Sequence, residues 1–104
     1  MTSYVANHQK KLRSLARREI DLLHALQRGK SDSDLLAAAE EVRAARVRVL
    51  QVQYSRISPC EENEYRLKEM QEQIGLCQAT PIGDIIAEFR ARLEHKESNA
   101  KKRT

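Results

Sequence analysis

Residues 4–57 limit what this chain can fold into. Two long apolar-periodic stretches are separated there by only Gly29-Lys30-Ser31-Asp32. A link that short cannot return a helix in parallel, so the two helices it joins are antiparallel neighbours. On a wheel of about 100° per residue, Tyr4, Val5, Leu12, Leu15, Leu22, Leu23 and Leu26 share one arc. Gly29 suits the left-handed position that ends a helix. Ser31-Asp32-Ser33-Asp34 supplies side-chain oxygens to cap the next one. In that second helix Leu35, Ala38, Val42, Ala45, Val49 and Val52 recur at alternating spacings of 3 and 4. This is the seam of a coiled coil, and its alanines let two backbones approach closely. The sequence therefore predicts a long antiparallel hairpin of helices over 4–29 and 33–57.

One part of the second helix has a competing reading. Val47 to Tyr54 is rich in β-branched residues and partly alternates, as a strand would. Helix is preferred, because the alternation slips at Leu50 and no Gly or Pro separates the segment from the alanine-rich run before it.

Ser58-Pro59-Cys60-Glu61 reads as a helix start, with Ser58 as cap, Pro59 as first helical residue and Glu61 completing a capping box. Cys60, Asn63, Leu67, Met70, Ile74 and Cys77 give that helix a stripe, over 59–78. Glu62–Arg66 and Glu64–Lys68 are spaced as i,i+4 ion pairs. Thr80-Pro81 repeats the cap-plus-proline device before a fourth helix over 81–97, with Ile82, Ile86, Phe89 and Leu93 on its apolar face. Residues 98–104 lack apolar periodicity and are read as a disordered basic tail. The expected fold class is all-α: a small helical bundle or coiled-coil-like domain over 1–97.

Composition agrees. The chain has 104 residues, of which 33% are charged and 4% aromatic. Its core must be aliphatic, and a chain of this size can bury about two-thirds of its unfolded surface. The net charge of +4 is unevenly spread: residues 1–30 carry +5, residues 58–80 carry −3. No apolar run approaches the roughly 18 residues of a membrane span, and the first residues lack a signal-peptide core. A soluble, cytoplasmic protein is expected.

The familiar chemistries find no footing. The three glycines are isolated, so no phosphate-cradling loop is present. His8 and His24 lie about 24 Å apart on one helix and cannot share a metal within a monomer. His8 falls inside the apolar arc, where a hydrogen-bonded structural histidine is expected. Glu40-Glu41 and Glu61-Glu62 are adjacent carboxylates that point apart, as solvated helix surface does. No enzymatic activity, cofactor or metal is expected. Cys60 and Cys77 both belong to the third stripe and read as buried free thiols.

Two charges break the pattern. Glu19 stands inside the apolar arc of helix one, and Arg46 at the edge of that of helix two. In an antiparallel hairpin they face each other at similar depth, which predicts an ion pair between the helices. The opposite side of helix one carries Lys10, Arg13, Arg17 and Arg28, flanked by Lys11 and Arg18. Such a face is solvated, or meets nucleic-acid phosphates, or lies on an anionic membrane. The membrane reading ranks last, because the same helix cannot also build the hairpin. No aromatic interleaves with the basic residues to stack on bases. The resulting expectation is a non-catalytic module that binds another protein or a second copy of itself. The alternative is a small RNA- or DNA-associated protein acting through the basic face. Because Cys60 and Cys77 are seventeen residues apart, a bridge within one chain is not expected. Air oxidation followed by intact-mass spectrometry should show no monomer lighter by two mass units.

Overall fold

The computed structural model describes the backbone of residues 2–102 and the side chains of residues 4–95. The fold is all-α. Helix α1 spans Thr2–Gln27, α2 Asp32–Arg56, α3 Glu64–Ala79 and α4 Ile82–Lys102. Among the described residues there is no strand, and Val47–Tyr54 is helix throughout.

The hairpin turn follows its local chemistry. Gly29 has φ +63°. The N–H of Lys30 reaches back to the carbonyl of Ala25 (3.1 Å) and that of Gly29 to Leu26 (3.3 Å), closing α1. Ser31 then caps α2, its hydroxyl accepting from the N–H of Asp34 at 3.3 Å.

Helix α2 is the spine. It packs on α1, α3 and α4, whereas among the described residues the backbone of α3 runs close to neither α1 nor α4. Leu35, Val42, Ala45 and Val49 are buried along the expected seam, and Ala39 is buried beside it. The far end of the hairpin is closed by polar groups. Nε2 of Gln53 lies 3.2 Å from Nε2 of His8. The His8 ring stacks on Tyr4, and the Arg56 guanidinium lies 4.6 Å from the centre of the Tyr4 ring.

The helical wheel merges what the structure separates on α1. One seam, Tyr4, His8, Lys11, Leu15, Arg18, Leu22 and Ala25, is buried or half-buried against α2. A second, one position further on, runs Val5, Gln9, Leu12, Ala16, Glu19, Leu23 and Leu26. Its last three residues are half-buried where α4 crosses. Its first four are exposed.

The third helix departs from expectation at its start. Ser58 does not cap it. Its carbonyl accepts from the N–H of Cys60 (2.9 Å) and from Nδ2 of Asn63 (3.0 Å). A single 3-10 turn, Glu61–Asn63, follows, and α3 begins only at Glu64. Cys60 is consequently exposed and Cys77 only half-buried, so neither is the buried thiol expected. The pairs Glu62–Arg66 and Glu64–Lys68 do not form; among the described residues the i,i+4 ion pair is Glu88–Arg92, at 3.0 Å. Asn63, Leu67, Met70, Ile74 and Cys77 do form the inner stripe of α3, but all five are half-buried and none is buried.

At the next junction the Thr80 hydroxyl donates to the Leu76 carbonyl (2.9 Å), closing α3 rather than opening α4. Arg43 donates to the Thr80 carbonyl (3.0 Å), which ties the junction to α2. Helix α4 then crosses from α2 to α1, and its backbone stays helical through Lys102. Of the tail expected at 98–104, residues 98–102 continue the helix; 103 and 104 lie outside the described residues.

The core sits at the turn end of the hairpin, where Leu22, Leu35, Ala39, Val42, Ile85 and Phe89 form one buried cluster. Phe89 is fully buried. Truncating it to Ala should cost about 3–5 kcal/mol. Truncating Leu76, which is 71% exposed, should change stability by no more than about 0.5 kcal/mol. Urea denaturation followed by circular dichroism measures both.

Candidate functional site

Glu19 and Arg46 lie 3.6 Å apart, but the pair is one side of a larger arrangement. The shortest contact of Arg46 is with Glu88 of α4, at 2.7 Å. Arg92 of α4 lies 3.0 Å from Glu88 and 3.3 Å from Glu19. Two carboxylates and two guanidiniums thus alternate around a closed ring that joins α1, α2 and α4. The ring stands over Phe89: the Arg92 guanidinium lies 4.6 Å from the phenyl centre and that of Arg46 5.7 Å. Both distances suit a cation over an aromatic face. Partial burial works against the Arg46 charge. The hydrogen bond and attraction of Glu88, with Glu19 behind it, outweigh that and hold its pKa above the ordinary arginine value.

This arrangement is structural in its chemistry. Every charge has an opposite partner, and no side-chain nitrogen or oxygen buried among the described residues lacks a hydrogen bond. Among the described residues no group of three or more His, Cys, Asp or Glu side chains is placed to hold a metal ion. Glu40, Glu41, Glu61 and Glu62 are all exposed. The clefts are open surface grooves, such as the one between α2 and α3 lined by Glu40, Arg43, Val47, Gln51 and Gln78.

The structure divides the six basic residues of the expected face, five on α1 and Arg28 in the turn just after it. Lys11 and Arg18 turn inward. Both are half-buried in the seam against α2, and Arg18 lies 3.7 Å from Glu41. Lys10, Arg13, Arg17 and Arg28 are exposed and form no ion pair with a described residue. Arg13, Arg17 and Arg18 line a shallow notch with Ser14 and Asp21.

The sequence places Val5 and Leu12 in the apolar arc of α1 and leaves the hairpin end near Val5 partly exposed; it does not single out Ile20, and the structure leaves all three exposed beside the basic row. Val5 is 52% exposed, Leu12 41% and Ile20 50%. On α3, Tyr65 is 80% and Leu76 71% exposed, with Glu69 and Glu72 on the same outer side. The signal for α1 was present: its apolar positions fill two seams, and a hairpin partner covers only one. Among the described residues no helix is long and apolar enough to cross a membrane.

No family model matches the chain, and no curated protein or solved structure shows significant similarity to it.

A double-mutant cycle separates the strengths within the ring. The side chains of Arg46 and Glu88 are 24% and 41% exposed, so solvent trims their interaction. Their coupling should be about 1 kcal/mol. It should exceed that of Arg46 with Glu19, whose contact is longer, and that of the outer Arg18–Glu41 pair, which should be near zero.

Proposed function

We propose that this chain is a non-catalytic helical interaction module that binds another protein chain through helix faces its own fold leaves uncovered. The observation that carries the reading is the half-covered second seam of α1. Its carboxy-terminal half receives α4. Its amino-terminal half, Val5, Gln9, Leu12 and Ala16, has the same heptad spacing and is exposed. The total surface supports it. The molecule exposes 7803 Å², about 1,800 Å² more than a close-packed monomer of this mass. Its radius of gyration is 16.7 Å, against roughly 13 Å for a compact domain of this length. A cytoplasmic setting belongs to the same reading, supported by two free thiols.

A second reading is favoured by one observation: Lys10, Arg13 and Arg17 on α1, and Arg28 just beyond its end, are exposed and have no ion-pair partner among the described residues. Such a row suits nucleic-acid phosphates, and the alternative function is RNA or DNA association.

One experiment addresses both. A photo-crosslinking amino acid is placed at Leu12 and, as a control, at the exposed Ala37. Irradiation in cells should give protein adducts from position 12 and none from position 37. No adduct from position 12 contradicts the module reading. Nucleic-acid adducts from it, with retention on mixed RNA above about 100 mM salt that is lost in the K10E/R17E/R28E variant, favour the second reading instead.

A further inference from the structure

The distal half of the hairpin carries charge of one sign only. Residues 1–18 hold five Lys/Arg and residues 42–60 hold four Arg, with no Asp or Glu in either stretch. On the α2 side this charge is met from elsewhere in the fold. Arg46 has Glu19 and Glu88, and α3, in the segment of net charge −3, packs along α2. The α1 side has no such cover, because the backbone of α3 does not run close to α1. Among the described residues Lys10, Arg13 and Arg17 are exposed with no ion pair. One acid, Asp21, lines the same notch as Arg13 and Arg17 and forms no ion pair with a described residue.

Beside this row runs the exposed apolar strip of Val5, Leu12, Ala16 and Ile20. On the helical wheel the strip lies within about 80° of Leu12, and Arg13, Arg17 and Lys10 follow at about 100–160°, on the flank away from α2. At its carboxy-terminal end the strip leads into a groove between α1 and α4, about 380 Å³ in volume, walled by Ile20, Leu23 and Leu93. The fold itself shows what this side of α1 accepts. Nearer the turn, Leu23 and Leu26 are half-buried where a helix, α4, packs on them.

We propose that the amino-terminal half of α1 is the docking face for an acidic amphipathic helix of another protein. That helix lies along the strip, seats an apolar side chain in the groove between α1 and α4, and turns a flank of Asp or Glu toward Lys10, Arg13 and Arg17. This rests on the interaction-module reading above and names the partner's chemistry. Apolar positions spaced by whole helical turns select a helix as occupant, the helix-in-groove mode of recognition. From Val5 to Ile20 the strip runs about 22 Å, the length of four helical turns. The basic flank sets the sign. A basic helix is repelled, and a second copy of α1 would set the row against its own kind. Nucleic-acid phosphates would use the row and leave the apolar strip in water. A flat bilayer suits a helix crest, whereas Leu12, at 41% exposed against 71% for Leu76, is recessed, as a groove that takes a helix ridge is. Exposed ion pairs contribute little each, so the apolar contacts supply the hold while the row selects the partner.

Fluorescence anisotropy of labelled peptides on the purified full chain tests this. The probe is a helix-forming peptide of about five turns, with Leu at the a and d positions, Glu along one flank and Ala or Gln elsewhere. A matched peptide carries Lys in place of each Glu. At about 100 mM salt the Glu peptide should bind at least tenfold more tightly than the Lys peptide. V5D/L12D should lose the Glu peptide while its circular dichroism matches the parent, since both positions are exposed. R13E/R17E should reverse the preference, losing the Glu peptide and gaining the Lys peptide, a swap that unfolding cannot produce. Y65D/L76D, on the outer face of α3, should bind as the parent does. A Glu peptide that fails to bind the parent, or binds no better than its Lys counterpart, overturns the proposal. Mixed RNA and vesicles of phosphatidylcholine with phosphatidylserine are the comparison probes. Tighter binding of either than of the Glu peptide assigns the face to that partner and also overturns it. If the Glu peptide fails while position 12 still crosslinks proteins in cells, the acidic helix falls and the module reading stands.

Discussion

Phe89 and the ring of charges above it convert a two-helix hairpin into a folded domain. A hairpin of this length has one internal seam and little else to bury. Helix α4 supplies the third wall, adding Phe89 and Ile85 to the buried cluster of Leu22, Leu35, Ala39 and Val42. Arg46 and Arg92 lie over the ring face while Glu19 and Glu88 neutralise them. The carboxylate that looks out of place in the apolar arc of α1 is therefore where three helices meet. Alternating partners keep the individual charges from being stranded when the site loses water, which is the condition for a half-buried ionic group to be tolerated.

The same docking leaves the other half of the molecule lightly packed. Helix α4 packs at the turn end, and the outer positions Val5, Gln9, Leu12 and Ala16 of α1 stay exposed. Helix α3 lies on α2 alone and has no buried residue. The distal end is closed by Tyr4, His8, Gln53 and Arg56, a polar and aromatic cluster rather than an aliphatic core. The molecule is consequently elongated, 53 Å along its longest axis. Uneven packing of this kind gives different parts of one domain different local stabilities.

Features that depend on neighbours in sequence were legible. The Gly29 turn, the Ser31 cap, the α2 seam and the facing of Glu19 and Arg46 all follow from spacing and turn chemistry. What failed needed information from elsewhere in the fold. Ser58-Pro59 has the residues of a helix start, but Asn63 and Cys60 take the Ser58 carbonyl and delay the helix to Glu64. Lys11 and Arg18 count as surface on a wheel that scores charge, yet both are half-buried. The wheel also averaged two seams of α1 into one arc. Periodicity marks a face as apolar without saying which stretch a later helix will cover; that depends on contacts distant in sequence, such as the Arg43 hydrogen bond to the Thr80 carbonyl at the α3–α4 junction.

The central claim is that a self-sufficient turn-end core carries a distal half whose outer faces are completed by another chain. Amide hydrogen exchange resolved by residue, on the free chain and with the Glu peptide added, tests it most directly. Amides around Leu22–Leu26, Leu35–Val42 and Ile85–Phe89 should be strongly protected in both. Those of residues 5–16 and 65–76 should exchange quickly in the free chain, and those of residues 5–16 should gain protection with the peptide. Uniform strong protection of all four helices in dilute solution would contradict the account.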